Sequence, residues 1–505
     1  MNTALNLLHL LTPESILVET ILVVLIAGLF KATAQKRNML LSLTLIGGVT
    51  AGAMLIFQPH YGNIANGMAV LDPLTRFIKV VVLGLSLITA VYAVQSNIRQ
   101  HFAEYLALIL FTAIGMMLLA GTENLLMIFI ALEMVSIPLY LLAGFLKQSS
   151  ASAEASLKYF LVGGVSAAFL LFGISLIYGT TGATSLRDLA QSAPAVTRDP
   201  LFLAGLVMAI VGFGFKVAAV PFHLWAPDVY EGAPTSSAAL IASGSKVAGF
   251  LILAKFLAIG LAGAAGSAAS SQLQPGWLPL LAVIAAISIV VGNLAALSQS
   301  NVKRILAYSA IAQSGYMLLG LSATGGTALI SVLFYVVVYA LTALGAFGVV
   351  LHVEQRRGGS QLHHFEGLHQ SAPGLALCMG VFMISLAGIP PLAGFFGKFY
   401  LFAGALGSAS QGGNLGLLWV VAIAITFNAV SLYYYLIVLK HVFVTPATHP
   451  AEPVTRRNAA TFVTGLLAVS VFAIGLYPGV LLDPLRAAAQ AANRKPVTAA
   501  PVQPK

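Results

Sequence analysis

Cysteine is nearly absent from this chain, with Cys378 the single thiol among 505 residues. One thiol cannot form an intramolecular disulfide, a cysteine-ligated iron–sulfur cluster or a CxxC redox pair. Redox centres of those kinds therefore belong to other chains. Charge is scarce as well: Asp, Glu, Lys and Arg make up 8% of the residues against 59% hydrophobic ones, and the mean hydropathy is +0.94. A soluble core cannot absorb so much apolar surface, so the composition indicates a polytopic integral membrane protein in contact with the lipid bilayer. The net charge of +10 would suggest nucleic acid in a soluble protein. Here the basic residues sit in short loops between apolar runs, so no nucleic-acid partner is expected. The first apolar run is flanked by Glu14 and Glu19 and has no basic lead-in, which argues against a cleaved signal peptide.

Windows of about 20 apolar residues fall near 14–31, 39–57, 74–95, 104–120, 124–146, 156–178, 201–225, 236–260, 279–298, 304–322, 327–352, 373–403, 416–440 and 459–481. They predict an all-α membrane fold with fourteen transmembrane helices. Loops after odd-numbered spans hold twelve basic residues, Lys36, Arg37, Lys147, Arg356 and Arg357 among them; loops after even-numbered spans hold Arg187 and Arg198. This bias puts the odd loops in the cytoplasm and both termini on the periplasmic side of the cell membrane. From Asp483 the chain is rich in Ala and Pro. It is expected to fray, so 482–505 reads as a disordered tail that cannot supply a long strapping helix.

The stretch Val211–Thr235, VGFGFKVAAVPFHLWAPDVYEGAPT, organises the rest. It places Lys216 inside an apolar helix, at an insertion cost of roughly 2.5 kcal/mol or more. Pro221 then frees the carbonyl of Val217, which a membrane tolerates only where protein or water satisfies it. His223 follows Lys216 by seven residues, two turns and about 20° off the same face if the helix continues. A second interrupted helix, SLAGIPPLAGFFGKFY, pairs Pro390 and Pro391 with Lys398. The two interrupted spans lie five apart, and an odd offset reverses direction across the bilayer, pointing to inverted repeats with a site at mid-membrane. The expected organisation is 1–103 as three N-terminal helices, 104–260 as a first five-helix block (spans 4–8), 279–440 as a second (spans 9–13) and 459–481 as span 14.

Each intramembrane charge has a functional and a plain structural reading. Glu133 sits mid-span in IALEMVSIPLY, either as part of an ion path or as half of a structural ion pair with Lys216. Lys246 lies beside Ser243 and Ser245, whose hydroxyls suit water. Lys255, nine residues on and near the span's end, reads as an interfacial anchor. Lys158 follows Glu154 by four residues, so a surface pair accounts for it equally well. Lys398, flanked by Phe396 and Phe399, favours a functional role, whereas Lys303 and Arg304 read as cytoplasmic anchors. Lysines suit proton transfer because desolvation lowers an ammonium pKa of about 10.4 while a carboxylate at ~4 Å raises it by roughly three units. Moving a carboxylate would switch such a lysine between holding and releasing its proton.

The run PFHLWAPDVYEGAPT, mid-span Glu133, the mid-span lysines and SLAGIPPLAGFFGKFY closely resemble the subunit N family of bacterial NADH:quinone oxidoreductase, respiratory complex I. The similarity covers essentially all fourteen spans. VYEGAPT, a lysine rather than a glutamate at 398 and the absence of a long lateral helix favour type N over the antiporter-like types M and L. The resemblance implies two inverted five-helix repeats. It makes Glu133 and Lys216 a gating pair, Lys158 its modulator, Lys246 the central relay and Lys398 the exit-side lysine, with His223 a further polar position. It also implies no cofactor in this chain: NADH, FMN, iron–sulfur clusters and quinone bind partner subunits, and membrane subunits such as M, L, K and J are neighbours. The expected function is proton translocation coupled to quinone reduction elsewhere. The alternative is a subunit of a sodium/proton antiporter or a proton-pumping hydrogenase. A b-haem carrier would need facing histidine pairs, and His223 alone lies well inside a span.

Overall fold

The computed structural model describes residues 7, 9–30, 34–58, 62–96, 98, 100–268, 274–323, 328–411, 415–446 and 459–493. The apolar windows become helices: α1 (Thr12–Gly28), α2 (Ala34–Phe57), α3 (Pro73–Gln95), α4 (Phe102–Ala120), α5 (Leu125–Ala143) and α6 (Ser150–Thr181). The seventh window holds α7 (Pro200–Val217) and the irregular turn after it, and α8 (Trp225–Gly232) begins where the window ends. The eighth splits into α9 (Thr235–Ala242) and α10 (Gly244–Lys255), continued by a π-helical turn over Phe256–Gly260. There follow α11 (Trp277–Leu297), α12 (Val302–Leu321), α13 (Ala328–Arg357), α14 (Pro373–Ala387), α15 (Ala393–Gln411), α16 (Leu418–Phe443), α17 (Ala459–Leu476) and α18 (Gly479–Asn493). Among the described residues, eleven helices are long and apolar enough to cross a membrane.

Local chemistry sets where these helices start and stop. Asp72, Asn124, Ser149, Asp199 and Asn301 each accept a backbone N–H from the first turn of the helix that follows, satisfying donors that have no partner inside the helix. Pro73 and Pro200 take first positions, where no donor is needed. Both central breaks have one construction. α7 ends at Val217, and Ala218 turns left-handed (φ 57°) three residues before Pro221; α14 ends at Ala387, and Gly388 does the same (φ 80°) three residues before Pro391. Each helix ends four residues ahead of the proline whose ring would strike that carbonyl.

A pair of backbone hydrogen bonds also recurs. The start of α5 is tied to the segment after α6 by Leu125 N–H to Thr184 O and Leu186 N–H to Glu123 O, both 2.8 Å. The start of α12 is tied to the segment after α13 by Val302 N–H to Ser360 O (2.8 Å) and Leu362 N–H to Ser300 O (2.9 Å). In the middle of the bundle, α13 packs on α9, α10, α12, α14, α15 and α17. The stretch holding α9 and α10 is enclosed on every side.

Three features depart from the sequence reading. A two-stranded hairpin, Gly62–Ile64 against Ala69–Leu71, and a short helix, Leu186–Ser192, occupy loops. The expected tail begins instead as α18, whose Leu481, Leu482, Leu485 and Ala488 are buried and which packs on α3 and α13. Burial of that face and the helix-favouring alanines outweigh Pro484. Residues 494–505 lie outside the described residues.

Candidate functional site

Lys216, Lys246 and Lys398 are all buried. Each is held by uncharged acceptors, and among the described residues none has an acidic partner within 4.0 Å. Lys216, in the last turn of α7, donates to Ser136 Oγ at 3.0 Å, and Ser136 passes its own hydrogen bond to Leu132 O. Its aliphatic stem lies against Gly249, one turn after Lys246 on α10. Glu133 is one turn before Ser136 on α5 and is half-buried. With Ser136, Tyr140, Ser166 and Lys216 it lines a cavity of about 20 Å³, room for one water. Glu133 and Lys216 thus share a small polar chamber without touching.

Lys246 Nζ donates to Ala310 O (2.5 Å) and Ser314 Oγ (2.7 Å) on α12 and lies over the ring of Tyr339, 5.2 Å from its centroid. Ser314 donates in turn to the carbonyl of Val217 at 2.6 Å. That carbonyl is the one Pro221 leaves without a helical donor, so the helix break and the central lysine are satisfied by the same hydroxyl. Ser288 Oγ accepts from Val220 N–H and satisfies the other side of the break.

Lys398 Nζ donates to Leu386 O (2.7 Å), at the end of α14, and to Asn428 Oδ1 (2.5 Å) on α16. Gln313, next to Ser314 on α12, also donates to Leu386 O, at 3.1 Å. α12 therefore carries a polar band between Lys246 and Lys398. Tyr335 and Tyr435 complete it through Gln313.

Two expected associations do not form. His223 follows the end of α7, so the helical register that would align it with Lys216 is lost; its ring is buried in the turn before α8, and among the described residues Nδ1 has no hydrogen-bond partner. Lys158 stands apart from the Glu133–Lys216 chamber. It pairs with Glu154 (2.7 Å), as its spacing allowed, and with Asp228 (2.5 Å), which also takes Arg304 (2.8 Å). Arg304 reaches Glu231 as well, so it clamps α8 rather than anchoring a loop. Lys303 is likewise buried and paired with Glu354 at 3.0 Å. Ser136, Ser314 and Gln313 carry no mark in the sequence that sets them apart; Asn428, a lone amide in the middle of an apolar span, does.

Asp228 lies in α8, between the long apolar helices. Burial pushes its carboxyl up, but hydrogen bonds from Lys158 and Arg304 outweigh that and hold it below the ordinary aspartate range. Its contribution to stability is complete above the ordinary value of about 3.9 and is lost as pH falls through the lowered one. Asp228→Asn is expected to cost about 1 kcal/mol at neutral pH, since partly exposed pairs contribute roughly 0.2–1 kcal/mol each. Thermal unfolding in detergent at pH 7 checks this; an unchanged midpoint would make the clamp energetically idle.

Among the described residues no three His, Cys, Asp or Glu side chains come together as a metal site. The model of the NADH:quinone oxidoreductase/Mrp antiporter transmembrane family matches residues 122–426. NADH-quinone oxidoreductase subunit N 2 of Acidobacterium capsulatum is 46% identical over 462 residues, 90% of this chain and 92% of that one. F(420)H(2) dehydrogenase subunit N of Methanosarcina mazei is 35% identical over 93% of this chain and 95% of its own length. A chain of respiratory complex I from Thermus thermophilus superposes with a TM-score of 0.76 at 34% identity, covering 94% of this chain and 99% of that one. The chain belongs to the NADH:quinone oxidoreductase/Mrp antiporter membrane family, among its members of the subunit N type.

Proposed function

We propose that this chain is a proton-translocating subunit of a membrane NADH:quinone oxidoreductase. The observation that carries the reading is the bonding of Lys216, Lys246 and Lys398. Each ammonium donates to hydroxyl, carbonyl or amide oxygens, and a neutral amine retains two N–H donors for the same acceptors. Losing a proton therefore strands little. Glu133 and Lys216 act as the gating pair across their shared chamber, Lys246 as the central relay and Lys398 as the outlet. Lys158 acts through Asp228 at one end of the bundle, and His223 lends a polar group at the break. The chain crosses the cell membrane fourteen times with both termini periplasmic, and 104–260 and 279–440 are inverted repeats. The recurring hydrogen-bond pairs and the matched breaks support the repeat.

NADH, FMN, iron–sulfur clusters and quinone bind partner chains, and membrane subunits of the M, L, K and J types flank this one. Glu133 itself supports a partner. It lies on the α5 face that carries exposed Ile130 and Ile137, and a carboxylate on that face is not stable against lipid. A second reading is favoured by the family's breadth: the relay does not depend on the electron donor and would also serve an antiporter or another proton-pumping dehydrogenase. Co-purifying chains decide between the two.

The test is proton uptake by inverted vesicles carrying Lys246→Gln, with NADH oxidation and assembly followed in the same sample. The expected result is an assembled complex whose pumping falls at least about fivefold, a barrier increase of roughly 1 kcal/mol. Normal pumping through Lys246→Gln would remove this lysine from the path.

A further inference from the structure

α10 holds a second buried lysine that the relay above does not use. Lys255 was expected to reach the membrane surface, yet it is 2% exposed. It donates to Ala120 O at 2.9 Å and to Thr75 Oγ1 at 3.3 Å, and among the described residues it has no acidic partner within 4.0 Å. Ala120 closes α4, so the ammonium sits on the negative end of that helix. Against the next residue, Gly121, lies another buried ammonium: a Cβ built there would meet Lys79 Nζ at 3.1 Å. A side chain at 121 would crowd that ammonium. Lys79 pairs with Glu14 at 2.6 Å, both buried, while the other carboxylate oxygen of Glu14 is buried with no hydrogen-bond partner among the described residues.

The group has the composition of the first site: one carboxylate, one lysine paired or near it, and one lysine held by uncharged oxygens. Glu133, Lys216 and Lys246 are matched by Glu14, Lys79 and Lys255. The helix is irregular beside each lone lysine. Ser243 breaks it three residues before Lys246, and it widens into the π turn directly after Lys255, a distortion that is frequent at functional positions. A structural tie between N-terminal helices accounts for Glu14 and Lys79. It does not account for Lys255, whose burial as an unpaired cation is costly.

Thr235, at the head of α9, hydrogen-bonds to Glu354 in the Lys303 pair, whereas Lys255 closes α10 twenty residues on, against the start of α3 and the end of α4. The second group therefore lies at the end of the bundle opposite that pair. We propose that Lys255, set against the Glu14–Lys79 pair, is a second proton-carrying site on the central helix, serving this opposite membrane face. The amine nitrogen of Lys255 takes up a proton from the interior, forming an N–H bond, and breaks it again by passing the proton to water at that face. Glu14 sets the outcome: while it neutralises Lys79 an ammonium at Lys255 is tolerated, and when it withdraws the bare Lys79 charge expels the proton.

The inference rests on the translocation reading, so the experiment compares Lys255→Gln and Lys255→Arg with Lys246→Gln in inverted vesicles, with assembly followed by native gels. Gln keeps a donor for the Ala120 carbonyl, and Arg keeps the charge, but neither releases a proton. Both Lys255 variants are expected to assemble and to pump at least threefold more slowly than wild type. A structural role predicts rescue by one of them, and wild-type pumping in either overturns the proposal. If Lys246→Gln loses pumping while the Lys255 variants keep it, this site alone fails; if Lys246→Gln pumps normally, the translocation reading fails first. Glu14→Gln, close to isosteric, gives a check independent of Lys255: pumping is expected to fall at least twofold, and an unchanged rate counts against the proposal.

Discussion

Lys216→Ala is expected to lower NADH-driven proton pumping at least tenfold, with turnover falling in parallel and the complex still assembled. A positioned acid–base group contributes typically 10²–10⁴-fold to the step it serves, and coupling passes part of that loss to electron transfer. The geometry isolates the effect. Lys216 closes the chamber it shares with Glu133, and its ammonium has Ser136 Oγ as its hydrogen-bond acceptor. Alanine leaves Ser136 its own bond to Leu132 O, so no other polar group is stranded. The stem is replaced by a void, which is a packing cost of a few kcal/mol spread over a large bundle. Lys216→Arg is the informative companion, because a guanidinium keeps its charge but does not deprotonate; it should fail to restore pumping. Parallel loss in both variants supports the gate. If either pumps at the wild-type rate, Lys216 is a structural lysine and Glu133 has some other partner.

Gly394→Val should leave no assembled complex in the membrane. Gly394 lies in the first turn of α15 just after the second break, and a Cβ there would overlap the backbone carbonyl oxygen of Ser385. Its own N–H donates to Ser385 Oγ at 3.2 Å. The obstruction is main chain on both sides, so no rotamer change relieves it, and the cost should exceed the roughly 1–3 kcal/mol of ordinary overpacking. The break positions both the Leu386 carbonyl and Lys398, so the variant loses the outlet together with the fold. Immunoblots and native gels of membranes read the result directly. Normal amounts of complex would mean that the two half-helices separate more easily than their contact suggests.

The helices were legible because apolar runs of membrane length admit few other structures, and the breaks were legible because proline removes a donor wherever it stands. Lys216, Lys246 and Lys398 announced themselves by depth alone. Lys255 did not: it is close enough to a span's end to read as reaching the surface, and only tertiary packing of α3, α4 and α10 shows that it turns inward, as does Lys79, which carries no sequence reading of its own. His223 was misplaced for a related reason. Counting seven residues presumes a continuous helix, and the same proline that was noticed ends that helix four residues earlier. The prolines from Pro484 onward make α18 look like a loose tail, since a burial partner far away in sequence leaves no local mark. The oxygens that hold the lysines, Ser136, Ser314 and Leu386 O, belong to other helices or to the main chain, and residue type along one span says little about what faces it across the bundle.

The stretch from 235 to 257 is buried throughout, and it carries Lys246 and Lys255. During synthesis it emerges before the helices that will cover it. Each lysine adds roughly 2.5–3.5 kcal/mol to the cost of leaving the translocation machinery for lipid, and the acceptors that offset Lys246 lie on α12, some sixty to seventy residues later in the chain. The central helix is therefore a poor stand-alone insertion unit. It has to be retained beside the translocon until α11 to α13 follow, which makes biogenesis of the first half of this protein wait on the second.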